Sequence, residues 1–273
     1  MANRFTGKVV IVTGSSAGIG QDAAVEFGKE GASVVIHGQN VKRLDKTHAL
    51  MVEAGVSPEK IHQVIGSLED PDTPAKIILQ AVSKFGKIDV LVNNAGASSK
   101  PNEKDPDSLE NLDFLFKVNF RSVVELTQLA IPYLEKTKGN VVNVGSVGGA
   151  RPYHSFTFYC SLKATLDHFT KCYADKYGHK GIRINSLNPG PIKTHIIARG
   201  VAGLEGTPEL VQKLDEFAAI TTSVRRIGQC SEMSNILLFL ASDQASYVTG
   251  ANWLADGGAA LQSPNFIDYL QQK

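Results

Sequence analysis

A tyrosine and a lysine four residues apart could exchange a proton with a substrate. Tyr159 and Lys163 lie in a stretch with helical spacing, where residues four apart project from the same face. A free phenol has a pKa of about 10, too high for easy proton exchange near neutral pH. An ammonium about 4 Å away contributes on the order of 4 kcal/mol at an effective dielectric of about 20, which would pull the phenol pKa towards ~7. We therefore predict that Tyr159 is a general acid/base.

A serine decides between two interpretations of this pair. By themselves, a tyrosine and a lysine on one helix face favour the simpler interpretation of two surface residues. Ser146 lies thirteen residues before Tyr159, at the end of a run of β-branched residues that is typical of a strand. With Ser146 at that strand end, the catalytic interpretation is favoured.

A glycine-rich turn follows the first apolar run of the chain and precedes an amphipathic stretch. Its three glycines allow backbone conformations and close approaches that a Cβ would prevent. The N-terminus of the next helix would present free N–H groups to a pyrophosphate. This context favours a dinucleotide site over a plain tight connection, with a methyltransferase as the alternative user. The predicted contacts are Gly14, Ser15, Ser16, Ala17, Gly18, Ile19 and Gly20.

Short apolar runs alternate with stretches of helical spacing along the chain. Predicted strands lie at 9–13, 32–37, 60–66, 88–96, 139–146, 182–190 and 251–258. Predicted helices begin near Ile19 and lie around 41–54, 74–85, 108–135, 157–178 and 231–241. Continuously apolar strands are typical of a parallel sheet buried on both faces. The pattern predicts an α/β fold, a Rossmann-like doubly wound parallel sheet of about seven strands with helices on both faces.

Two segments depart from this alternation. Residues 191–228 form a long connection between the sixth and seventh strands, and we expect a substrate-binding insertion there. Residues 259–273 form a C-terminal tail, expected to be poorly ordered or, alternatively, to contact another subunit. With no repeat or linker in the sequence, residues 1–273 are predicted to form a single domain.

Composition excludes several classes of partner. Lys and Arg number 28 and Asp and Glu 27, so the net charge of +1 provides no long-range attraction for nucleic acid or a membrane surface. No apolar run approaches the roughly 20 residues that span a bilayer, and no secretory signal is evident. Cys160, Cys172 and Cys230 lack metal-ligand spacing. We therefore predict a cytoplasmic protein with reduced thiols and no metal.

Six ordered motifs carry a family resemblance. They are Gly-x-x-x-Gly-x-Gly at 14–20, Asn93-Asn94-Ala95-Gly96, Ser146, Tyr159-x-x-x-Lys163, Asn188-Pro189-Gly190 and Asp256-Gly257-Gly258. In this order the chain strongly resembles the short-chain dehydrogenase/reductase family over nearly its whole length. The resemblance implies an NAD(P)(H)-dependent oxidoreductase that transfers a hydride between nicotinamide and a carbonyl/secondary alcohol pair.

The resemblance also implies roles for individual residues. The implied catalytic residues are Asn119, Ser146, Tyr159 and Lys163. Ser146 would hold the substrate oxygen, Asn119 a water for proton relay, and Lys163 the nicotinamide ribose as well. Further cofactor contacts are implied for Asn93, Ala95, Gly96, Tyr159, Lys163, Pro189, Gly190, Ile192 and Thr194.

The end of the second strand bears on the choice between cofactors. A carboxylate there favours NAD, and a nearby arginine favours NADP. Gly38 is neither, and Gln39 stands where NADP-using relatives commonly carry arginine; Asn40 could donate a hydrogen bond to a phosphate. We predict NADP(H), with NAD(H) as the alternative. The predicted adenosine contacts are Gly38, Gln39, Asn40, Arg43, Ser67 and Leu68, although the family often has Asp in place of Ser67.

The substrate is a small carbonyl or alcohol of undetermined structure. Predicted contacts are Ser146, Val147, Tyr153, Tyr159 and Ile196, and such an apolar, partly aromatic wall suits a hydrophobic ketone, a steroid or an acyl thioester equally. Arg151 would pair with an anionic group or lie at the surface. One alternative function is a 3-oxoacyl thioester reductase. Another is a non-catalytic NAD(P)-binding sensor or scaffold, which we would expect to have lost the acid/base residues. The resemblance further implies a homotetramer.

Overall fold

Seven parallel strands form the centre of the protein. The computed structural model describes residues 3–194 and 208–261. The strands are β1 (Val9–Val12), β2 (Ser33–Gly38), β3 (Ile61–Ile65), β4 (Val90–Asn93), β5 (Asn140–Val144), β6 (Arg183–Pro189) and β7 (Asn252–Ala255). They lie in one sheet in the order β3-β2-β1-β4-β5-β6-β7. The predicted fold class is confirmed, and the assignment of all 273 residues to one domain stays a prediction.

Helices cover both faces of this sheet. They are α1 (Gly18–Lys29), α2 (Val41–Glu53), α3 (Asp72–Phe85), α4 (Leu109–Phe116), α5 (Ser122–Thr137), α6 (Thr157–Gly178), α7 (Pro208–Thr221) and α8 (Cys230–Ala241). The predicted bounds of α6 agree with the structure, and those of α2 and α8 differ from it by one residue. Helix α7 lies within the connection predicted at 191–228. None of the helices in the described ranges is long and apolar enough to cross a membrane.

Neighbouring residues of β1 enter different core layers. Val10 and Val12 pack in the layer that contains Phe27 of α1 and Leu237 of α8. Ile11 lies in the opposite layer, which α3 and α5 cover. Since both layers are dry, every position of β1 is apolar, which explains a strand without polar alternation.

The predicted helix over 108–135 is interrupted. A π-helical turn at Lys117–Arg121 separates α4 from α5. Such a turn inserts one residue into the helical repeat and changes the direction in which its side chains point. The hydrophobic spacing continues on both sides of the turn, so the sequence pattern did not reveal it. Asn119 lies within this turn.

The strand order reverses at the centre of the sheet. From β1 the chain builds β2 and β3 on one side, then crosses to β4, β5, β6 and β7 on the other. In open α/β sheets, such a reversal leaves a ligand-binding crevice at the carboxyl ends of the two central strands. Here those strands are β1 and β4, which are parallel neighbours with Val10 opposite Val90. The glycine-rich turn and the Asn93–Gly96 segment follow these two strand ends.

Candidate active site

The glycine-rich turn packs against the segment after β4. Gly14 adopts a positive φ of 65°, and a Cβ there would lie 2.7 Å from Ala95 Cα. A Cβ on Gly20 would lie 2.7 Å from the Gly14 carbonyl oxygen. Asn94 Nδ2 donates to the Thr13 carbonyl oxygen at 2.8 Å. Only glycine fits these close approaches, and the free helix N-terminus behind them suits a pyrophosphate.

A buried histidine that our sequence analysis passed over supports the turn. His37 of β2 accepts a hydrogen bond at Nδ1 from the Gly14 N–H at 3.3 Å, and its Nε2 lies 3.2 Å from the Gly66 carbonyl oxygen. Nε2 therefore carries the proton and the ring is neutral. Burial lowers the pKa of His37 to about 4. Its one sequence signal is a polar residue among the apolar residues of a central strand.

The predicted adenosine contacts gather at the ends of β2 and β3. A Cβ on Gly38 would lie 2.9 Å from Ser16 Cβ, so this strand end touches the glycine-rich turn. Gln39 Nε2 donates to Ser67 Oγ at 3.2 Å. Leu68 is buried, as expected for an apolar lining.

The structure gives Asn40 a structural role that the sequence analysis did not foresee. Its side-chain oxygen accepts a hydrogen bond from the Arg43 N–H at 3.0 Å and so caps the N-terminus of α2. An asparagine at this position commonly stabilises a helix by about 1 kcal/mol. This cap uses the side-chain oxygen, whereas a cofactor phosphate would accept from the Nδ2 group, so the predicted phosphate contact stays a prediction.

Asn93 also has protein partners for its side chain. Its Nδ2 donates to Asn143 Oδ1 at 2.9 Å and to Thr127 Oγ1 at 3.2 Å, which ties β4 to β5 and α5. Gly96 lies closer to the candidate acid/base residues. A Cβ on Gly96 would lie 3.1 Å from Asn119 Oδ1 and 3.7 Å from Lys163 Nζ.

Asn119 holds the segment after β4 in place. Its Oδ1 accepts from the Ala97 N–H at 2.8 Å, and its Nδ2 donates to the Ala97 carbonyl oxygen at 2.8 Å. Asn119 is buried. Asn119 lies in the π-helical turn, and both polar atoms of its side chain bond the backbone of Ala97, beside Gly96. Its predicted role in a proton relay stays a prediction.

Ser146, Tyr159 and Lys163 converge where β5 ends against α6. Ser146 begins a short 3-10 turn, and its Oγ accepts from the Gly148 N–H at 3.0 Å. Lys163 Nζ donates to the Val144 carbonyl oxygen at 2.7 Å and lies 5.6 Å from the centroid of the Tyr159 ring. The structure thus brings together the three residues that the spacing singled out.

The pKa values in this cluster differ from our expectation for the phenol. Burial raises the pKa of Tyr159 above its ordinary value, while a hydrogen bond with Ser146 acts in the opposite direction. Burial also lowers the pKa of Lys163 to about 8, which the carboxylate of Asp167 partly counteracts. The expectation of a lowered phenol pKa was wrong for the protein by itself, because it counted the ammonium and left out desolvation.

The segment after β6 closes the other side of the crevice. A Cβ on Gly18 would lie 3.3 Å from Thr194 Cγ2, so Thr194 borders the glycine-rich turn. A Cβ on Gly190 would lie 2.6 Å from Asp256 Cα. Ile192 is buried and forms an isolated bridge with Gly228, and Pro189 ends β6. Ile196 lies outside the described residues.

Among the residues predicted to wall a substrate pocket, Val147 is buried and Tyr153 is half-buried. The Arg151 guanidinium lies 5.6 Å from the centroid of the Tyr153 ring, and its Nη1 donates to the Ala259 carbonyl oxygen at 2.6 Å. Arg151 thus ties the loop after Ser146 to the 3-10 turn that follows β7, a role that neither sequence interpretation included.

Residues 3–194 and 208–261 contain no group of three or more His, Cys, Asp or Glu side chains that could hold a metal ion.

The similarity to known proteins covers nearly the whole chain. Residues 14–260 match a family model described as enoyl-(acyl carrier protein) reductase. A 3-oxoacyl-(acyl-carrier-protein) reductase of Thermotoga maritima is 34% identical over 265 residues, covering 94% of this chain and the full length of that relative.

Two solved structures share the fold. One is a short-chain dehydrogenase/reductase of unknown function from Caenorhabditis elegans with cofactor; it is 35% identical with a TM-score of 0.87, covering 95% of this chain and 97% of that one. The other is the L-sorbose reductase of Gluconobacter frateurii complexed with NADPH and L-sorbose. It is 28% identical with a TM-score of 0.86, covering 96% of this chain and 100% of that one.

Proposed function

Because this chain belongs to the short-chain dehydrogenase/reductase family, we propose that Ser146, Tyr159 and Lys163 carry its chemistry. The protein is an oxidoreductase that acts on the CH–OH group of a carbonyl/alcohol pair. The observation that supports these three residues is their convergence beside the dinucleotide cradle: Gly14 packs on Ala95, and the next residue, Gly96, approaches Lys163 Nζ.

The proposed mechanism assigns one task to each side chain. The nicotinamide, when bound, supplies or accepts the hydride. During reduction, the Ser146 hydroxyl holds the carbonyl oxygen, and the Tyr159 hydroxyl donates its proton to that oxygen as negative charge develops. Lys163, with a pKa of about 8, is charged near neutral pH and stabilises the phenolate that remains. During oxidation the phenolate takes the proton from the alcohol.

The cradle fits a dinucleotide on its own geometry. The approaches at Gly14 and Gly20 leave no room for a Cβ, and the turn opens onto the N-terminus of α1. Gly14, Ser15, Ser16, Ala17, Gly18, Ile19 and Gly20 would hold the pyrophosphate, with Thr194 beside them.

NADP(H) is the proposed cofactor, with NAD(H) as the alternative. No carboxylate stands at Gly38 to repel a 2′-phosphate, and the exposed Lys42 lies in the first turn of α2. Gln39 donates a hydrogen bond to Ser67, and both residues would contact the adenosine. The sorbose reductase with NADPH shows that a protein of this fold, 28% identical, accepts the phosphorylated cofactor.

The proposed substrate is a small or medium carbonyl compound. A 3-oxoacyl thioester is a specific second candidate, since the Thermotoga maritima relative is named for that activity. A non-catalytic sensor or scaffold is a third, and the retention of all three candidate residues argues against it.

One experiment tests both the reaction and the cofactor. The wild-type protein is assayed with NADPH and NADH in parallel against ketones, ketoses and a 3-oxoacyl thioester. We expect saturable turnover with at least one carbonyl and a higher kcat/KM with NADPH. Tyr159→Phe should lower kcat/KM by about 100-fold or more while the cofactor still binds. The control Tyr177→Phe lies on the same helix, roughly 27 Å further along, and should leave kcat/KM unchanged.

The outcomes separate the candidates. Saturable cofactor binding without turnover of any carbonyl would favour the sensor or scaffold. Full activity of Tyr159→Phe would contradict the assignment of the acid/base. A preference for NADH would overturn the proposed cofactor and leave the mechanism intact.

A homotetramer and a cytoplasmic location complete the proposal. The edge strand β7 exposes Trp253 and Leu254, and helix α5 exposes Leu129, which are apolar residues suited to contacts between subunits. Cys160, Cys172 and Cys230 are free, as suits a reducing compartment. Sedimentation giving the 29.3 kDa mass of one chain would contradict the assembly.

A further inference from the structure

We propose that Asp167 is a positioning residue of the active site: through Asn188 it fixes the Ser146 turn against the helix that carries Tyr159 and Lys163. This inference rests on the proposed function and adds a residue to which no motif or predicted role pointed.

Asp167 lies one helical turn after Lys163. Residues 159, 163 and 167 of α6 are four apart and share one face of the helix, which is turned towards the ends of β5 and β6. Thus a carboxylate extends the row formed by the candidate acid/base and its lysine.

Asn188 links that carboxylate to the sheet. Its Nδ2 donates to Asp167 Oδ2 at 2.7 Å, and its Oδ1 accepts from Ser186 Oγ at 2.8 Å. Asn188 and Ser186 are buried in β6, between β5 and β7. Truncating either partner would leave the other buried group without its hydrogen bond, which is destabilising.

The pair touches the Ser146 turn on both sides. A Cβ on Gly145 would lie 1.9 Å from Asn188 Oδ1, so the carboxamide rests directly on the backbone before Ser146. A Cβ on Gly149 would lie 3.0 Å from Asp167 Oδ2, so the carboxylate rests on the backbone after Ser146. Gly145 has no room for a Cβ, and a Cβ on Gly149 would require its neighbours to shift. The pair therefore sets where the Ser146 hydroxyl lies relative to Tyr159.

Asp167 also acts on Lys163 through its charge. The carboxylate raises the pKa of Lys163, against the larger effect of burial. Burial raises the pKa of Asp167 itself, while hydrogen bonds with Asn188 and Ser186 and the charges of Lys163 and Lys171 lower it.

Lys163 and Lys171 are the charged groups that act on Asp167, and His168 is a further titratable side chain beside it. β6 contributes Ser186 and Asn188, and β7 contributes Asn252 across a cavity of about 310 Å³ that His168 and Lys171 also line. Asp167 Oδ1 has no hydrogen-bond partner within residues 3–194 and 208–261. Replacing the carboxylate by a neutral side chain therefore removes the charge that raises the pKa of Lys163, so that pKa should fall further.

The test compares Asp167→Asn with Asp175→Asn. Asp175 lies on the same helix at an exposed position, so the second variant repeats the chemical change away from the site. For Asp167→Asn we expect kcat to fall about fivefold at pH 8 and the alkaline limb of the kcat/KM profile to move down by about half a pH unit. Asp175→Asn should match the wild type in both. A purely structural role would lower the melting temperature without moving the limb.

A second variant keeps the carboxylate and removes its partner. Asn188→Ala should lower kcat about fivefold while leaving the alkaline limb in place, because the charge beside Lys163 is retained. An Asp167→Asn enzyme that folds and has the wild-type profile would overturn the proposal. If Asp167→Asn does not fold, an Asn188→Ala enzyme with unchanged kcat would overturn it. A wild-type protein without NAD(P)H-dependent turnover would instead contradict the proposed function.

Discussion

Lys163 Nζ donates a 2.7 Å hydrogen bond to the Val144 carbonyl oxygen, two residues before Ser146. This contact joins the first half of α6 to the last residue of β5. It also holds the ammonium 5.6 Å from the centroid of the Tyr159 ring. Lys163 therefore combines an electrostatic role with a structural one, since it satisfies the carbonyl at the end of a buried strand.

The first prediction concerns the charge of Lys163. Its pKa is lowered from 10.5 to about 8, so the ammonium is present below pH 8 and is lost as the pH rises through that value. We expect kcat/KM to decline above about pH 8. Lys163→Met should lower kcat/KM by about 100-fold or more and abolish this decline. The measurement is a pH–rate profile from pH 6 to about 10, with the exposed Lys176→Met as control.

The second prediction concerns His37 and stability. Its folded-state pKa of about 4 lies below the unfolded value of 6.5, so the unfolded chain binds more protons between these values. The free energy of unfolding should fall as the pH drops from 6.5 to 4, by up to on the order of 3 kcal/mol. His37→Asn retains an acceptor for the Gly14 N–H and should show a shallower decline in urea unfolding. His179→Asn, at an exposed position, should keep the wild-type slope; equal slopes in all three proteins would refute the role of His37.

The third prediction concerns the space inside the cradle. Gly20→Ala would place a Cβ 2.7 Å from the Gly14 carbonyl oxygen and 2.3 Å from Asn94 Nδ2, which forces the turn to move. We expect the Kd of NADPH and NADH to rise by about tenfold or more. Gly178→Ala is the matched control, because that helical glycine has nothing within 4 Å of its Cβ position. The Kd values are measured by fluorescence titration with each cofactor. An unchanged Kd for Gly20→Ala would contradict the binding of the dinucleotide at this turn.

The fourth prediction separates two roles for Asn40. If Asn40 acts only as the N-cap of α2, Asn40→Ala should lower the free energy of unfolding by about 1 kcal/mol and have little effect on the KM of NADPH. Asn40→Asp keeps the capping oxygen but adds a negative charge near the predicted 2′-phosphate. That variant should retain stability and weaken NADPH relative to NADH. A large rise in the KM of NADPH for Asn40→Ala would show instead that its amide binds the cofactor.

The sequence predicted those features for which the local backbone geometry requires a particular residue type. Within the short strand–turn–helix unit, Gly14 adopts a positive φ and Gly20 approaches the Gly14 carbonyl oxygen, and Tyr159 and Lys163 share a face through helical spacing alone. The order of strands and helices followed from β-branched runs and amphipathic stretches. Each of these features depends on residues close together in the chain.

What the sequence determined by itself is therefore the fold class, the cradle and the spacing of Tyr159 and Lys163. Only the tertiary structure decided the direction of the Tyr159 pKa, because desolvation depends on which distant segments cover the phenol. It also decided that Asn40 caps a helix, that His37 supports Gly14, and that Asp167 meets Asn188 across 21 positions of the chain. Hydrogen bonds between elements far apart in sequence leave no periodic pattern to read. The spacing alone predicted the tyrosine of the active site, whereas the groups that affect its pKa and position come together only in the folded chain.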